Sequence, residues 1–241
     1  MYDVSQFKSD ISKLNIHLSD EQINQFLKYY ELLVEWNEKM NLTAITQYDE
    51  VMKKHFVDSL SLIKAYEEID QKELKVIDIG TGAGFPGLVL KIAYPNLHMT
   101  LLDSLNKRIS FLNTVIEELG LKNVNAIHGR AEDYAKQADY REVYDLSVSR
   151  AVANLATLSE YCLPFVKIGG LFISYKSEKV SEELQYSKKA ISVLGGEISK
   201  QVEFELPDSD IYRNLFVIMK VKSTPKKFPR KAGLPAKEPI S

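Results

Sequence analysis

Apolar residues recur every three to four positions through the first 70 residues, which is the spacing of helices with one buried face. Ser19 and Gln22 form a capping-box pattern that predicts the start of such a helix. The apolar residues that follow share one helical face: Ile23, Phe26, Leu27, Tyr30, Leu33 and Val34. Residues 49–65 predict a second helix, and no glycine precedes Gly80. We therefore expect residues 1–70 to form a helical region.

From residue 73 onward, short apolar runs alternate with helix-type segments. Five runs have the length of strands: 75–79, 98–102, 123–127, 144–149 and 169–175. This alternation predicts a parallel sheet with helices on both faces. Two more runs, 201–206 and 214–221, are separated by too few residues for a crossover helix, so they predict an antiparallel hairpin. The predicted fold is α/β, a doubly wound, mostly parallel seven-stranded sheet over residues 71–221 with an N-terminal helical extension.

The first predicted strand runs into a loop in which Gly80, Gly82 and Gly84 alternate. Glycines let the backbone turn sharply and approach a ligand closely, so strand, loop and helix start predict a nucleotide-type site. The loop also matches G-x-G-x-x-G, which leaves NAD open beside S-adenosylmethionine, as well as a tight turn without a ligand. Asp78 favours S-adenosylmethionine, because a carboxylate would repel a pyrophosphate but attract a sulfonium and an ammonium group.

The second predicted strand ends at Asp103. An acid at this place can accept hydrogen bonds from both ribose hydroxyls, which the two candidate cofactors share. A carboxylate placed there for the N-terminus of the next helix is the alternative interpretation. Asp103 therefore supports a ribose without choosing between the cofactors.

Composition narrows the class of protein. The chain has 241 residues, a net charge of −2 and a single cysteine, Cys162. One cysteine excludes an internal disulfide and suits a reducing compartment, so we expect a cytoplasmic protein. No apolar run approaches the ~18 residues of a transmembrane helix, and no membrane partner is expected. The four histidines lack metal-ligand spacing, so no metal site is expected.

The last twenty residues, 222–241, change in composition. They contain six Lys or Arg residues and four prolines. This segment is predicted to be neither a helix nor a core strand. Two interpretations stay open, a disordered tail and an extended arm whose cations contact phosphates.

Four separated stretches carry a family resemblance: residues 36–43, 55–60, 78–87 and 229–240. The third contains the motif D-x-G-x-G-x-G of the class I methyltransferases, extended by Phe-Pro-Gly, and the fourth reads R-x-x-G-x-P-x-x-x-P. Together they resemble the small-subunit ribosomal RNA methyltransferase G family, also called glucose-inhibited division protein B. The resemblance covers the whole chain.

The resemblance implies a class I methyltransferase that converts S-adenosylmethionine to S-adenosylhomocysteine without a metal. The implied product is 7-methylguanosine at nucleotide 527 of 16S rRNA, in the 530 loop. The implied partner is naked 16S rRNA, the 30S subunit or an assembly intermediate, and we expect a monomer. The predicted cofactor-binding residues are Asp78, Gly80, Gly82, Gly84, Phe85, Asp103, Ala131, Glu132 and Arg150. The predicted RNA-binding residues are Lys176, Arg213, Lys226, Lys227, Arg230 and Lys231.

The chemistry needs no classical catalytic residue. Guanine N7 carries no proton and offers a lone pair, so the enzyme mainly places N7 against the methyl group. Cys162 lacks the Pro-Cys loop of cytosine C5 enzymes, and a buried structural thiol is the preferred interpretation. A packed helix histidine is likewise preferred for His55, with a contact to the site as the alternative. Three other functions stay open: a small-molecule methyltransferase, a non-catalytic RNA-binding module and an NAD oxidoreductase.

Overall fold

The predicted alternation of strands and helices forms a single seven-stranded sheet. The structure is a computed structural model that describes residues 2–150, 153–177 and 181–240. The strands are β1 (Lys75–Ile79), β2 (His98–Asp103), β3 (Val124–His128), β4 (Tyr144–Arg150), β5 (Val166–Lys176), β6 (Gly196–Glu205) and β7 (Tyr212–Lys220). Each prediction coincides with a strand, and β1 has the predicted bounds.

The strand order is β3-β2-β1-β4-β5-β7-β6. The first five of these are parallel to one another, and β7 runs antiparallel between β5 and β6. The predicted hairpin is therefore confirmed. Strand β6 starts five residues earlier than predicted, at Gly196. It is an edge strand, and the missed residues begin with a glycine and contain a register shift between Ile198 and Lys200, which interrupts the alternation of apolar and polar residues.

Helices cover both faces of the sheet. They are α1 (Ser5–Lys13), α2 (Asp20–Met40), α3 (Tyr48–Val51), α4 (Asp58–Leu60), α5 (Gly87–Ala93), α6 (Asn106–Glu118), α7 (Ala131–Tyr134), α8 (Leu155–Cys162), α9 (Ser181–Val193) and α10 (Leu234–Lys237). Between α3 and α4 the chain is π-helical over Met52–Val57, and a 3₁₀ turn over Ser61–Lys64 follows α4. The helix predicted over residues 49–65 is thus one helical run with a wide turn in its middle, a feature often found at functional sites.

The N-terminal helices pack directly on the sheet. The predicted capping box at Ser19 and Gln22 is present, and Gln22 Nε2 also donates to the carbonyl of Ile92 in α5. Phe26 and Leu33 of α2 are buried in the same hydrophobic cluster as strand residues of the sheet. The helical region and the sheet share this core. The predicted boundary near residue 70 therefore stays a prediction, since it does not separate two cores.

Residues 222–240 pack against the domain, which contradicts the interpretation as a disordered tail. Phe228 is buried, and Arg141 donates to the carbonyls of Thr224 and Phe228. The segment also contains the one-turn helix α10, which was not predicted. Met1 and Ser241, at the two ends of the predicted regions, lie outside the described residues. Within the described chain, no helix is long and apolar enough to cross a membrane.

Candidate cofactor and RNA site

The glycine loop lies at the carboxyl end of β1 and is tied to the neighbouring strand. The amides of Gly80 and Thr81 donate to the carbonyl of Leu102 at 2.9 and 3.2 Å. Gly80, Gly82 and Gly84 have φ angles of +71°, +61° and +95°, a region that residues with a Cβ rarely adopt. The three predicted loop glycines are therefore required by the backbone.

Asp78 holds this loop from beneath. Its Oδ2 atom accepts hydrogen bonds from Thr81 Oγ1 at 2.7 Å and from the amide of Gly87 at 2.8 Å. The side chain is completely buried, and this burial raises the pKa of the carboxyl to about 7. We predicted a cofactor contact, but the geometry corrects that role: Asp78 shapes the loop. Its Oδ1 atom has no hydrogen-bond partner among the described residues.

Two loop glycines face different surroundings. A Cβ atom on Gly84 would lie 2.5 Å from Tyr29 Oη and 2.6 Å from a methyl of Leu88, so this glycine allows α2 to pack on the loop. Tyr29 Oη also donates to the carbonyl of Ala83. The predicted approach of Gly84 to a ligand is thus corrected to an approach to Tyr29. A Cβ atom on Gly82 would meet nothing within 4 Å, so Gly82 leaves space beside the loop.

A pocket of about 320 Å³ opens at the carboxyl ends of β1, β2 and β3. Its lining residues are Ile79, Gly80, Leu102, Asp103, Ser104, Gly129, Arg130, Ala131, Glu132, Tyr161 and Gly233. The volume is within the range of small-molecule sites, which begins near 300 Å³. Four of the predicted cofactor residues meet here: Gly80, Asp103, Ala131 and Glu132. The apolar walls fit an adenine base, and the two carboxylates can accept hydrogen bonds from a ribose or an amino group. The lining of the pocket therefore suits the implied cofactor.

Asp103 connects the pocket wall to the glycine loop. Its Oδ2 atom accepts hydrogen bonds from the amide of Gly82 at 2.9 Å and from Arg108 Nη1 at 3.1 Å. Its Oδ1 atom accepts from the amide of Leu105 at 2.9 Å, just before α6. The carboxylate thus serves the helix start, as the alternative interpretation held. A ribose contact of Asp103 stays a prediction.

Glu132 brings the C-terminal segment into the pocket. Its Oε1 atom accepts a hydrogen bond from the amide of Gly233 at 2.8 Å, across 101 residues of sequence. The sequence did not predict that the tail lines this pocket. The four prolines of the tail and its one glycine, Gly233, were the available signal, since Pro and Gly are typical of defined turns.

Arg230 was predicted to bind RNA, and the structure places its guanidinium elsewhere. Its Nε and Nη2 atoms donate to the carboxylate of Glu160 at 3.0 and 2.7 Å, and its amide donates to the same carboxylate at 2.8 Å. Glu160 is buried in α8. Arg230 is therefore an anchor of the tail and not the predicted phosphate contact, because its guanidinium group already binds a buried carboxylate.

A second cluster lies on the other side of the glycine loop, around Arg150 at the end of β4. Arg150 Nη1 donates to Asp58 Oδ2 at 2.7 Å, and the guanidinium lies 5.1 Å from the centre of the Phe85 ring. An unpaired buried cation is costly, so Arg150 needs either a carboxylate or a bound ligand as its partner. That carboxylate belongs to the protein itself. Asp58 Oδ1 also accepts from Arg213 Nε at 2.6 Å, and this bridging role was not predicted.

His55 joins the same cluster. Its ring stacks on Phe85 with centroids 4.4 Å apart, and its Nδ1 atom lies 3.2 Å from Arg150 Nη2. Since the guanidinium can only donate, Nδ1 accepts, and Nε2–H donates to Thr43 Oγ1 at 2.8 Å. Burial, and then the charge of Arg150, lower the pKa of His55 to about 3. The histidine is packed, as preferred, and it is neutral and adjacent to Phe85 of the loop.

This cluster explains why the first two resembling stretches occur together. The stretch 36–43 supplies Thr43, whose amide donates to Asn37 Oδ1 at 2.8 Å. The stretch 55–60 supplies His55 and Asp58, both within or directly after the π-helical turn. The two stretches therefore support Arg150 from the helical region.

The remaining predicted RNA-binding residues fall into two groups. Lys176 Nζ donates to Glu183 Oε1 at 2.7 Å and to the carbonyl of Ala153, and its side chain is mostly buried. Lys176 and Arg213 were predicted to contact phosphates, but both are paired with carboxylates of the protein near the sheet end. The other three lysines, Lys226, Lys227 and Lys231, are exposed, and their contact with RNA stays a prediction.

Cys162 is the one cysteine of the chain, and it does not face the pocket as a free nucleophile. Cys162 is fully buried, and this burial raises the pKa of its thiol far above the usual value. A thiolate nucleophile is therefore disfavoured. Among the described residues, no group of three or more His, Cys, Asp or Glu side chains could hold a metal ion.

Comparison with known proteins agrees with this geometry. A family model described as "GidB: rRNA small subunit methyltransferase G" matches residues 22–212. The ribosomal RNA small subunit methyltransferase G of Lachnoclostridium phytofermentans is 55% identical over 240 residues, covering 100% of this chain and 98% of its own. That of Alkaliphilus oremlandii is 57% identical over 233 residues, covering 97% of each chain.

Solved structures with low sequence identity share the fold. TYW2 from M. jannaschii, in complex with AdoMet, superposes with a TM-score of 0.51 at 14% identity, covering 67% of this chain and 74% of that one. This likeness concerns the fold alone, and it agrees with the predicted class I methyltransferase sheet. The family match and the full-length relatives go further: the chain belongs to the rRNA small subunit methyltransferase G family.

Proposed function

We propose that this protein transfers a methyl group from S-adenosylmethionine to N7 of a guanosine in the 530 loop of 16S rRNA, nucleotide 527, and releases S-adenosylhomocysteine. One observation carries the proposal. The glycine loop joins a pocket lined by Asp103 and Glu132 to the cluster of Arg150, Asp58 and neutral His55, so the proposed cofactor pocket and this cluster lie at the same sheet end. Ligands of doubly wound sheets bind at this edge.

In this proposal, the pocket takes the adenosine part of the cofactor. Asp103 faces the ribose, Ala131 and Glu132 lie against the adenine, and the backbone of Gly80 and Gly82 approaches the methionine part. Open space beside Gly82 supports this placement. When bound, S-adenosylmethionine supplies a methyl group on a positively charged sulfur. Asp78, from beneath, keeps the loop in the shape that admits the ligand.

The side chains near the loop suit a reaction that needs no general base. His55 is neutral, and both of its ring nitrogens are engaged by Arg150 and Thr43. Cys162 is buried. Guanine N7 needs no deprotonation, whereas an exocyclic amine loses a proton when it is methylated. The contribution of the protein is then placement of the base, which can lower a barrier by several kcal/mol.

For the substrate, we propose 16S rRNA within the small ribosomal subunit or its assembly intermediate, met by a monomer of this protein. The exposed lysines Lys226, Lys227 and Lys231 lie on the segment whose Gly233 lines the cofactor pocket. Cations at this place can contact phosphates while the target base is near the loop. The net charge of −2 makes such a local basic surface necessary.

The test is transfer of tritium from methyl-labelled S-adenosylmethionine to 30S subunits from cells that lack this protein. We expect one methyl group per particle, found in 16S rRNA as 7-methylguanosine. Subunits from cells that contain the protein are the control, since their site is already methylated. Binding of RNA without any turnover would instead indicate a non-catalytic module, and turnover on small molecules alone would indicate the alternative methyltransferase.

A further inference from the structure

Glu160 is a buried carboxylate that the proposed chemistry does not use. It lies in α8, and only 1% of its surface is exposed. Among the described residues, the hydrogen bonds to its carboxylate all come from one residue of the tail: the amide, Nε and Nη2 of Arg230 donate to its two oxygens. Two parallel hydrogen bonds from a guanidinium group to a buried carboxylate fix both the position and the orientation of the arginine side chain. The pair therefore determines where the following tail residues lie.

Those following residues turn back toward the cofactor pocket. The amide of Leu234 donates to the carbonyl of Lys231 at 3.0 Å, and Gly233 between them has a φ angle of +81°. This turn directs the amide of Gly233 onto Glu132 in the pocket wall. Further along, Thr157 Oγ1 of α8 donates to the carbonyl of Pro235 at 3.0 Å. The segment 229–236 is thus attached to α8 on both sides of the turn.

We infer that Glu160 is a positioning residue for cofactor binding: through Arg230 it holds the segment 229–236 as a wall of the adenosine pocket, with Gly233 against Glu132. The inference rests on the proposed placement of adenosine in that pocket. Gly233 lines the pocket beside Tyr161, the neighbour of Glu160 in sequence. Loss of the pair removes one wall and frees the Glu132 carboxylate, which then no longer has a fixed orientation.

The base of the tail has its own anchors, so the pair can be tested without detaching the whole segment. Lys220 is fully buried and donates to the carbonyl of Leu163 at 2.6 Å, and it pairs with Glu142 at 2.9 Å. Arg141 holds the carbonyls of Thr224 and Phe228. Residues 220–228 therefore keep their contacts when the contacts of Arg230 are removed.

The experiment measures cofactor affinity by calorimetry for the full chain and two variants, Glu160→Gln and Arg230→Met. Two probes are used, S-adenosylhomocysteine and 5′-methylthioadenosine, which lacks the amino-acid part. We expect both variants to bind both probes about tenfold more weakly, the effect of losing one charge-assisted contact. Lys237→Met, an exposed change in the same tail, is the matched control and should keep both affinities.

Unchanged affinities in the folded variants would overturn the inference. So would a loss confined to S-adenosylhomocysteine, because the wall contacts only adenosine. Amide hydrogen exchange in the unmodified protein gives a reading that does not depend on variant folding: S-adenosylhomocysteine should slow exchange of the Gly233 amide, and no slowing would also overturn it. A protein that binds the probes as expected but methylates no rRNA would refute the proposed function and leave this inference standing.

Discussion

Asp58 and Arg150 form an ion pair of 2.7 Å although 92 residues separate them in sequence. The same carboxylate accepts Arg213 at 2.6 Å, so one acid lies between two guanidinium groups. All three side chains are largely buried. The pair joins the helical run after the π turn to the carboxyl end of β4, next to Phe85 of the glycine loop. Asp58 therefore links the N-terminal region to the candidate site.

Asp58→Ala should destabilise the protein by about 3 to 5 kcal/mol, the usual cost of leaving buried charges without their partner. Two guanidinium groups would then share a site with no carboxylate. Urea unfolding followed by circular dichroism measures the change. Asp208→Ala is the control, since it removes an exposed pair with Lys13 and should change stability little. An equally small effect of both substitutions would contradict the linking role of Asp58.

Gly82→Val should abolish measurable binding of S-adenosylhomocysteine, because the side chain enters the open space beside the loop. Gly120 offers a close match: its φ angle is +63° against +61° for Gly82, and a Cβ there also meets nothing within 4 Å. Gly120→Val, at the end of α6, carries the same backbone strain without touching the pocket. Calorimetry on both variants separates ligand contact from strain. Equal losses of affinity in the two variants would refute the proposed placement of the cofactor beside Gly82.

Asp78→Asn should change how stability depends on pH. Burial raises the pKa of this carboxyl from 3.8 to about 7, so its contribution is present below pH 3.8 and is lost as pH rises through 7. Asparagine cannot ionise and avoids this loss. Between pH 5 and pH 8 the variant should gain about 3 kcal/mol relative to the unmodified protein, at about 1.4 kcal/mol per pH unit.

Urea unfolding at the two pH values gives this difference directly. Other titrating groups, including His55, are common to both proteins and cancel in the comparison. A stability difference that does not depend on pH would mean that Asp78 is ionised throughout the range, and the burial argument would fail.

Neutralising Lys226, Lys227 and Lys231 together should weaken RNA binding and flatten its salt dependence, by up to about 1 unit of log–log slope per lost phosphate contact. Binding of S-adenosylhomocysteine should not change. The control neutralises Lys72, Lys75 and Lys122, which lie at the opposite, amino-terminal edge of the parallel strands. Filter binding at several salt concentrations measures both triple variants. If the two triple variants show the same salt dependence of RNA binding, the tail lysines do not contact RNA phosphates.

Local patterns predicted the elements of this fold. The strand over Lys75–Ile79 is buried at its last four positions, three of them apolar, because both faces of a parallel strand are covered. The capping box at Ser19 and the glycine loop are equally local signals. The start of β6 was missed because Gly196 and the register shift between Ile198 and Lys200 interrupt its alternating pattern. The π-helical turn was missed because a single turn with i→i+5 hydrogen bonds has no apolar pattern of its own in the sequence.

The contacts that assemble the site could not be predicted, because they join residues far apart in sequence. Arg230 and Arg213 resemble solvated surface cations until the fold brings Glu160 and Asp58 to them. At Gly84, a side chain is excluded by a tyrosine of α2, which lies 54 residues or more away in sequence from the loop it contacts. The sequence thus predicted the glycine loop and the position of Asp103 at the end of β2, while the side-chain partners depend on tertiary packing.

In the proposed reaction, a single guanine N7 in the 530 loop receives the methyl group. Methylation at N7 places a positive charge on the ring, which makes that nucleotide sensitive to borohydride reduction followed by aniline cleavage. Subunits from cells lacking the protein should therefore acquire one new break, at nucleotide 527, only after treatment with enzyme and S-adenosylmethionine together. Cys162→Ala should give the same break, since the buried thiol forms no covalent intermediate. A methyl group on an exocyclic amine, a pyrimidine C5 or a ribose, with no break in the 530 loop, would contradict the account.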